Sequence, residues 1–432
     1  MSTDDANTPL STASGPIDAS VAVPGSKSIS NRALICAALA KGWSSLSNVA
    51  PGDDTLRMLG CLRSIEVSLR SEDTTVHVEG CDGWIRGGTE LDAGLAGTTS
   101  RFMTAVAALG AEPTTIVGGA ALRKRPMGDL HSALRALGAR VEPLDERDRL
   151  PVRLRRGDLH GGSIGLKGDV SSQFLSALML IGPYLTGGLE IELTSTLISK
   201  PYVSMTARVM SAFGMSGVTI DEDRVFVPEG RYVGSTFEVE PDASSASYPL
   251  AAAAILGGDV NVQGLTRDSM QGDIRILDIL EEMGCRVDVK PGKCSLSRSG
   301  ALRGVDIDMS DVSDLVPTIA AVALFASTPT RIRNVGFIRG KESDRIGDLV
   351  AGIETMGGRA VEYPDGLEVL PFESLPVHPI IMNTHHDHRL AMAWSLVAFK
   401  RPSITIDVPS VVDKSWPQWW SVREAIRRTG IN

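Results

Sequence analysis

Two kinds of helical segment alternate along the chain. Six segments are apolar around their whole circumference, as residues 250–256 illustrate with Leu-Ala-Ala-Ala-Ala-Ile-Leu, and this predicts helices that are buried on all sides. The six begin near residues 30, 99, 172, 245, 316 and 389, at intervals of 69 to 73 residues. So regular a spacing indicates an internal repeat. Strand-like stretches precede five of them, at residues 17–23, 163–167, 236–240, 305–309 and 380–383.

An amphipathic helical segment follows each apolar one and ends in a short turn before a strand. The turn has Gly at positions 138, 214, 284, 357 and 430, and Ser at position 64 in the first copy, at intervals of 70 to 76 residues. Gly suits the left-handed residue that commonly ends a helix. The sequence therefore predicts six copies of one unit: strand, polar turn, buried helix, strand, amphipathic helix and strand.

The six units divide into two groups of three, with breaks near Gly25 and Pro241. We therefore expect a lead and strand at residues 1–24, a first repeat domain at 25–240 and a second at 241–432. Two domains also suit a chain of 432 residues, which exceeds one ordinary core. The strand near residues 17–23 is expected to pair with the second group, and the polar residues 1–14 are expected to be disordered.

Composition excludes several classes of protein. The chain is 43% hydrophobic and 22% charged, as globular proteins are, and it has neither an apolar run long enough to cross a membrane nor a signal-peptide pattern. A net charge of −9 and 5% aromatic residues argue against a nucleic-acid surface. Five cysteines without CxxC spacing argue against a disulfide framework and a zinc site, and so favour the cytoplasm.

The polar turns at the starts of the buried helices carry candidate chemistry. In residues 24–32, a Pro-Gly turn places Lys27, Ser28 and Arg32 on the first turns of a helix. Free N–H groups and the positive end of the helix dipole favour an anion there. The stretch is not a Walker loop, because Ser26 precedes Lys27 where that motif needs Gly. The corresponding turns are residues 97–101, 169–173, 242–245, 311–314 and 385–389.

Basic residues also cluster in three other turns, at 123–126, 339–345 and 413–417. In an acidic chain, such local concentrations of Lys and Arg predict a ligand that carries two or more phosphate or carboxylate groups. The sequence thus indicates an anion-binding site assembled from several repeats.

The motifs in these turns resemble those of the 3-phosphoshikimate 1-carboxyvinyltransferase (5-enolpyruvylshikimate-3-phosphate synthase) family over about residues 15–425. The resemblance implies an α/β fold, a two-domain inside-out α/β barrel with three strand–helix repeats in each domain. It is carried by Pro24-Gly25-Ser26-Lys27-Ser28 with Arg32, Ala96-Gly97-Thr98 with Arg101, Arg125-Pro126-Met127, Ser171-Ser172-Gln173-Phe174, Ser199-Lys200-Pro201-Tyr202, Asp242-Ala243-Ser244-Ser245-Ala246, Lys341-Glu342-Ser343-Asp344-Arg345, Asp387-His388-Arg389 and Lys414-Ser415-Trp416-Pro417.

The same resemblance implies a reaction. The enolpyruvyl group of phosphoenolpyruvate is transferred to the 5-hydroxyl of shikimate 3-phosphate through a tetrahedral intermediate, and phosphate is released. This step belongs to the shikimate pathway, which leads to chorismate and the aromatic amino acids. The partners are then the two small-molecule substrates, with no nucleic acid and no membrane, and the protein is expected to be a monomer.

Residues that match the family's motifs are assigned roles on this resemblance. Asp314 is the candidate base for the attacking hydroxyl, Glu342 is the candidate proton donor, and Lys27 is expected to share in proton transfer and stabilise developing charge. The shikimate 3-phosphate set is Lys27, Ser28, Arg32, Ser171, Ser172, Gln173, Ser199, Tyr202, Asp314 and Lys341. The phosphoenolpyruvate set is Lys27, Gly97, Arg125, Gln173, Glu342, Arg345, His388, Arg389 and Lys414.

No cofactor and no metal are expected. His385, His386 and His388 lie close together in the sequence, but no companion motif such as HExxH supports a metal site. Two other functions stay open. A transferase acting on UDP-N-acetylglucosamine is expected to have a reactive cysteine in the loop at residues 121–125, which has none, and a non-catalytic binder of phosphorylated ligands or RNA ends would need neither Asp314 nor Glu342.

Overall fold

The computed structural model describes residues 9–430, and the chain in that range forms two compact units. The N-terminal unit is Gly25–Glu240. The C-terminal unit consists of the chain before Gly25 together with the chain from Pro241 onward. The strand expected at Ile431 lies outside the described residues.

The first strand, β1 (Ile17–Val21), belongs to the C-terminal unit. The N-terminal unit then contains, in chain order, α1 (Lys27–Leu39), β2 (Lys41–Ser47), α2 (Asp53–Ser64), β3 (Ser68–Glu72), β4 (Thr75–Cys81), β5 (Glu90–Asp92), α3 (Gly97–Ala107), β6 (Thr114–Val117), α4 (Ala120–Arg123), α5 (Gly128–Ala136), β7 (Arg140–Pro143), β8 (Val152–Arg155), β9 (Gly162–Leu166), α6 (Ser172–Ile181), β10 (Leu189–Leu193), α7 (Lys200–Ala212), β11 (Thr219–Ile220), β12 (Arg224–Val227) and β13 (Thr236–Glu238).

The C-terminal unit continues with six helices and nine strands among the described residues. Short 3₁₀ helices precede several of them, at Gly272–Arg275, Ser313–Leu315, Gly336–Gly340 and Pro409–Lys414. The elements are α8 (Ala243–Leu256), β14 (Gly258–Gln263), α9 (Ile276–Glu282), β15 (Arg286–Lys290), β16 (Lys293–Arg298), β17 (Asp306–Asp308), α10 (Val316–Ala323), β18 (Thr330–Arg333), α11 (Arg345–Thr355), β19 (Arg359–Tyr363), β20 (Gly366–Leu370), β21 (Ile380–Met382), α12 (His388–Val397), β22 (Ile404–Ile406) and α13 (Trp419–Thr429).

One sheet topology recurs through residues 9–430. Five four-stranded sheets each begin with a parallel pair and continue with two antiparallel strands, in the orders β13-β2-β4-β3, β5-β6-β8-β7, β9-β10-β12-β11, β1-β14-β16-β15 and β17-β18-β20-β19. The sixth sheet is the parallel pair β21-β22 alone. The recurrence confirms the strand–helix repeat that the sequence spacing predicts.

Two strands pair far from their neighbours in sequence. β1 pairs in parallel with β14, with Ile17 opposite Gly258, so this N-terminal strand completes a sheet of the C-terminal unit. β13 pairs in parallel with β2, with Thr236 opposite Ser45, and completes the first sheet of the N-terminal unit. The N-terminal unit is therefore one continuous piece of chain, whereas the C-terminal unit is built from two pieces.

The apolar helices lie at the centre of each unit and the sheets lie around them. In the N-terminal unit α1, α3 and α6 pack on one another, and in the C-terminal unit α8, α10 and α12 do so. All residues of α8 are buried, because its apolar positions cover its whole circumference. The observed starts of these six helices lie within three residues of the predicted ones. Because the three apolar helices of a unit pack together at its centre, the polar side chains at their N-termini can contact one another.

Residues 9–14 correct the expectation of a disordered lead. Leu10 is buried and its N–H donates to Ile404 O at 2.7 Å, while Arg423 Nη2 donates to Ser11 O at 3.0 Å. The physical reason lies in β22, which has a strand on only one side and so offers its other edge to this segment. Residues 1–8 lie outside the described part of the chain. No helix in residues 9–430 is both long and apolar enough to cross a membrane.

Candidate active site

In the N-terminal unit, polar side chains link the starts of the central helices. Lys27 in the first turn of α1 donates to Asp54 Oδ2 at 2.9 Å, and Thr99 in α3 donates to the backbone oxygen of Asp54 at 2.9 Å. Arg101 Nη1 of α3 donates to Gln173 Oε1 of α6. The three helices therefore begin at the same end of the unit. Backbone N–H groups and helix dipoles at that end favour an anion.

Arg32 is a buried connection between α1, α6 and α7. Its Nε donates to Thr206 Oγ1 at 2.7 Å, and its Nη2 donates to Ser176 Oγ at 3.1 Å and to Tyr202 O at 3.3 Å. Its Nη1 donates to Ser28 O at 2.9 Å. Burial lowers the pKa of Arg32 to about 10, which leaves the group charged at neutral pH. The guanidinium thus supports the backbone of two residues in the shikimate 3-phosphate set.

Hydroxyl groups lie at the starts of α6 and α7. Ser171 is the N-cap of α6, where its side chain accepts from the N–H of Gln173 at 3.3 Å, and the neighbouring Ser172 is buried. Ser199 precedes α7 with a φ of +54°, in the left-handed region that residues other than Gly seldom adopt. The N–H of Tyr202 donates to Ser199 O at 3.1 Å. Strained backbone of this kind is concentrated at ligand sites.

Gly97 lets a guanidinium group approach the first turn of α3. A Cβ atom built on Gly97 would lie only 2.6 Å from Arg125 Nη1 and 3.5 Å from Arg101 Nη1. Any side chain at this position would therefore push the head group of Arg125 away from the helix. The absent side chain leaves a cation beside a helix N-terminus, an arrangement that favours an anion.

In the C-terminal unit, Arg345 is the centre of a buried ionic network. Its Nε donates to Asp387 Oδ2 at 2.7 Å, its Nη1 to Asp314 Oδ1 at 3.0 Å and its Nη2 to Glu342 Oε2 at 3.0 Å. The Arg345 side chain is only 1% exposed. Burial alone lowers the pKa of a guanidinium group, but the three carboxylates raise the pKa of Arg345 above its ordinary value. Arg345 is therefore permanently charged.

Each candidate catalytic carboxylate contacts two cations. Asp314 lies in the 3₁₀ helix before α10, and its Oδ2 accepts from Arg389 Nη2 at 2.7 Å in addition to the bond from Arg345. Glu342 Oε1 accepts from Lys414 Nζ at 3.0 Å in addition to its bond from Arg345. Both carboxylates thus share cations of a kind that also binds anionic ligands.

Asp387 orients the start of α12. It is completely buried, caps the helix and accepts from the N–H of Arg389 at 2.9 Å. The ring of His388 is buried beside it, with Nδ1 3.6 Å from Asp387 Oδ1. Lys341 Nζ lies 5.9 Å from the centre of the Phe337 ring. No group of three or more His, Cys, Asp or Glu side chains in residues 9–430 is arranged to hold a metal ion.

The assigned residues fall on both units. Asp314, Lys341, Glu342, Arg345, His388, Arg389 and Lys414 belong to the C-terminal unit, and the others belong to the N-terminal unit. Sequence reasoning gave no role to Asp54 or Asp387, the carboxylate partners of Lys27 and Arg345. Asp387 stands inside a quoted motif, directly before His388, so its position as a helix cap was a usable signal. Asp54 has no such signal, because only folding brings it to Lys27.

The chain is similar to known proteins in family, in sequence and in structure. The model of the family EPSP synthase (3-phosphoshikimate 1-carboxyvinyltransferase) matches residues 11–422. A 3-phosphoshikimate 1-carboxyvinyltransferase of Nostoc punctiforme (strain ATCC 29133 / PCC 73102) is 40% identical over 410 residues, which are 94% of this chain and 96% of the relative. One of Marinomonas sp. (strain MWYL1) is 39% identical over 424 residues, which are 97% of this chain and 98% of the relative.

A solved structure of an EPSP synthase from Acinetobacter baumannii has a similar fold. It superposes with a TM-score of 0.82 at 24% identity, and the match covers 97% of each chain. At that identity the likeness bears on the fold alone. It confirms the predicted two-domain inside-out α/β fold.

Proposed function

Because the chain belongs to the EPSP synthase (3-phosphoshikimate 1-carboxyvinyltransferase) family, we infer that it transfers the carboxyvinyl group of phosphoenolpyruvate to the 5-hydroxyl of shikimate 3-phosphate. Phosphate is the second product, and the step belongs to the shikimate pathway of aromatic amino-acid biosynthesis. The observation that carries this conclusion is the family match over residues 11–422. The UDP-N-acetylglucosamine transferase and the non-catalytic binder are not favoured.

Shikimate 3-phosphate binding is proposed for the hydroxyl-rich helix starts of the N-terminal unit. The set also includes Asp314 and Lys341, which belong to the C-terminal unit. Ser28, Ser172 and Gln173 offer donors where helix dipoles favour a phosphate. Arg32 supports this role because it donates hydrogen bonds to the backbone oxygens of Ser28 and Tyr202 and so holds both residues in place. The other members of this set are Lys27, Ser171, Ser199 and Tyr202.

Phosphoenolpyruvate binding is proposed for the cation-rich groups described in both units. Lys414, Arg345 and Arg389 each contact a candidate catalytic carboxylate. An incoming phosphate or carboxylate can take donors from those cations, since Arg binds such groups bidentately. The other members of this set are Lys27, Gly97, Arg125, Gln173, Glu342 and His388.

Substrate anions and the catalytic carboxylates compete for the same cations, and this competition changes the proton affinity of the carboxylates. When substrate anions share the guanidinium groups, Asp314 loses part of its cationic support and becomes a stronger base. The proton affinity of Glu342 likewise rises when Lys414 and Arg345 donate hydrogen bonds to the substrate instead. Substrate binding thereby supplies one carboxylate that can accept a proton and one carboxyl that can donate a proton.

The proposed reaction consists of an addition step and an elimination step. The 5-hydroxyl gives its proton to Asp314 while its oxygen bonds to the C2 atom of phosphoenolpyruvate, and the C3 methylene takes a proton from Glu342 to become a methyl group. In the elimination step the methyl group returns a proton to Glu342 while the bond between C2 and the phosphate oxygen breaks, which restores the double bond. The leaving phosphate takes the proton held by Asp314, so both carboxyl groups return to their starting states. Lys27 stabilises charge that develops on the tetrahedral intermediate. Holding both substrates in register supplies a further part of the rate enhancement.

The reaction is tested by phosphate release from phosphoenolpyruvate with each of two acceptors. We expect release with shikimate 3-phosphate and none with UDP-N-acetylglucosamine, because the family match identifies the first acceptor. Release only with the sugar nucleotide would show that the protein is a transferase acting on UDP-N-acetylglucosamine. Absence of release with both acceptors would contradict catalysis altogether and leave a binding protein.

Substitution of Gly97 by Ala is expected to raise the KM for phosphoenolpyruvate about tenfold or more, because the new Cβ displaces the Arg125 head group and weakens a charge-assisted hydrogen bond. The fold should tolerate the change, since Arg125 Nη1 is the end of a flexible side chain. Steady-state kinetics measure both KM values. Gly60→Ala is the matched control, because its Cβ on α2 meets nothing within 4 Å. An unchanged KM for phosphoenolpyruvate in Gly97→Ala would argue against the assignment of Arg125.

Cytoplasmic location is also proposed. All five cysteines, Cys36, Cys61, Cys81, Cys285 and Cys294, are free thiols, and proteins of reducing compartments typically keep their thiols unpaired. The expectation of a monomer stays a prediction.

A further inference from the structure

Asp273 is a buried carboxyl group in the C-terminal unit that the proposed mechanism does not use. It lies in the 3₁₀ helix Gly272–Arg275 and is 3% exposed. Its Oδ2 accepts a hydrogen bond from the Ser244 hydroxyl in the first turn of α8. Its Oδ1 is also buried, and no donor among residues 9–430 contacts that atom. A carboxylate in this position lacks half of the donors that would stabilise its charge.

Three elements present charged groups to Asp273. Asp242, the N-cap of α8, and Asp314, in the turn before α10, both oppose its ionisation. Arg389, in the first turn of α12, and the Ser244 hydroxyl both favour its ionisation. Burial is the largest influence, and together these effects raise the pKa of Asp273 to about 7.

A purely structural role for this charge is not needed at the start of α8. The neighbouring Gln271 already ties the loop to the helix, since its Oε1 accepts from the N–H of Ala243 at 3.0 Å and its Nε2 donates to Pro241 O at 2.8 Å. A neutral amide therefore holds the segment in place. The ionisable group two residues later calls for another explanation. α8, whose Ser244 donates to Asp273, packs against the 3₁₀ helix that carries Asp314 and against α12, which carries Arg389.

We propose that Asp273 is a positioning residue of the transfer reaction, which acts through Asp314 by electrostatic repulsion and makes Asp314 a stronger base when Asp273 is ionised. The proposal rests on the proposed function, which assigns Asp314 as the base. Repulsion between two carboxylates is reciprocal, so an ionised Asp273 raises the proton affinity of Asp314 as much as Asp314 raises that of Asp273. Arg389, which donates to Asp314 and favours the ionised form of Asp273, balances the pair.

The proposal predicts that kcat rises with pH as Asp273 ionises. Below pH 7 Asp273 holds its proton and Asp314 is the weaker base. As the pH rises through about 7, Asp273 loses this proton, Asp314 becomes the stronger base and kcat increases. We therefore expect an inflection near pH 7 in the kcat profile of the wild-type enzyme.

Asp273→Asn, which is neutral at every pH, should abolish that inflection and lower kcat at pH 8 by up to about tenfold, while the KM for shikimate 3-phosphate stays the same. Ser244→Ala removes a hydrogen bond that favours the ionised carboxylate, so it should move the inflection to higher pH. Asp278→Asn is the matched control, because this nearby carboxylate on α9 is exposed and pairs with Arg267. The control should keep the wild-type profile.

The outcomes separate this inference from the proposed function. Wild-type turnover in Asp314→Asn would overturn the base assignment and, with it, this proposal. An inactive Asp314→Asn together with a wild-type pH profile in Asp273→Asn would overturn the Asp273 proposal alone. If Asp273→Asn does not fold, Ser244→Ala decides, because an inflection that stays in place contradicts the proposal and one that moves to higher pH supports it.

Discussion

Replacing Asp314 by Asn is expected to lower turnover by about 10²- to 10⁴-fold, which is the usual contribution of a general base. The amide has the same shape and can keep one of the two hydrogen bonds through its oxygen, since Arg345 and Arg389 donate to different oxygens of Asp314. It cannot take the proton of the 5-hydroxyl. The loss should therefore fall on kcat and leave the fold intact, as phosphate-release kinetics and circular dichroism would measure.

A matched control for this experiment is Asp306→Asn. Asp306 is a carboxylate on β17, eight positions before Asp314 in the sequence, and it forms an exposed ion pair with Arg333. Turnover of the control should stay close to that of the wild type. If Asp314→Asn kept half or more of the wild-type kcat, Asp314 would not be the base, and another group would have to receive the hydroxyl proton.

Substitution of Arg345 by Gln is expected to lower the free energy of unfolding by about 3–5 kcal/mol, the usual cost of breaking a buried ion pair from one side. The guanidinium is 1% exposed, and three carboxylates depend on it, so its removal leaves buried negative charges facing one another. Lys would not substitute well, since it has no planar fork of donors. Urea unfolding followed by fluorescence measures the change.

Arg333→Gln is the comparison for that measurement, because Arg333 also pairs with a carboxylate but is 42% exposed. Exposed ion pairs contribute at most about 1 kcal/mol, so the unfolding midpoint of this variant should move little. A similar small shift in Arg345→Gln would show that the network around Arg345 adds nothing to stability. The buried carboxylates would then have to take up protons or find other donors.

The central helices were predictable because their signal is local. An apolar circumference, a polar turn ahead of the helix and a regular spacing are all written in neighbouring residues, and so the starts of α6 and α10 fall at the expected positions, Ser172 and Val316. The sheet topology follows from the same repetition. These helices can therefore be predicted from the sequence without knowledge of tertiary contacts.

The partners within the site were not predictable, because tertiary contact determines them. Nothing in the sequence near Lys27 points to Asp54, and nothing near Ser244 points to Asp273. The sequence places Arg32 in the shikimate 3-phosphate set, and only the structure shows its contacts with Thr206 and Ser28. Leu10 shows the same limit, since its burial depends on β22.

The division of the C-terminal unit into two pieces has a consequence for the order in which the protein folds during synthesis. β1 leaves the ribosome before the N-terminal unit, but its partner β14 follows only after all of Gly25–Glu240 has been made. The N-terminal unit is continuous and can fold in that interval, since domains generally fold as units as they emerge. Meanwhile Ile17, Ala19 and Val21, which are buried in the finished protein, have no partner strand. The nascent chain therefore exposes an apolar strand until β14 has been made.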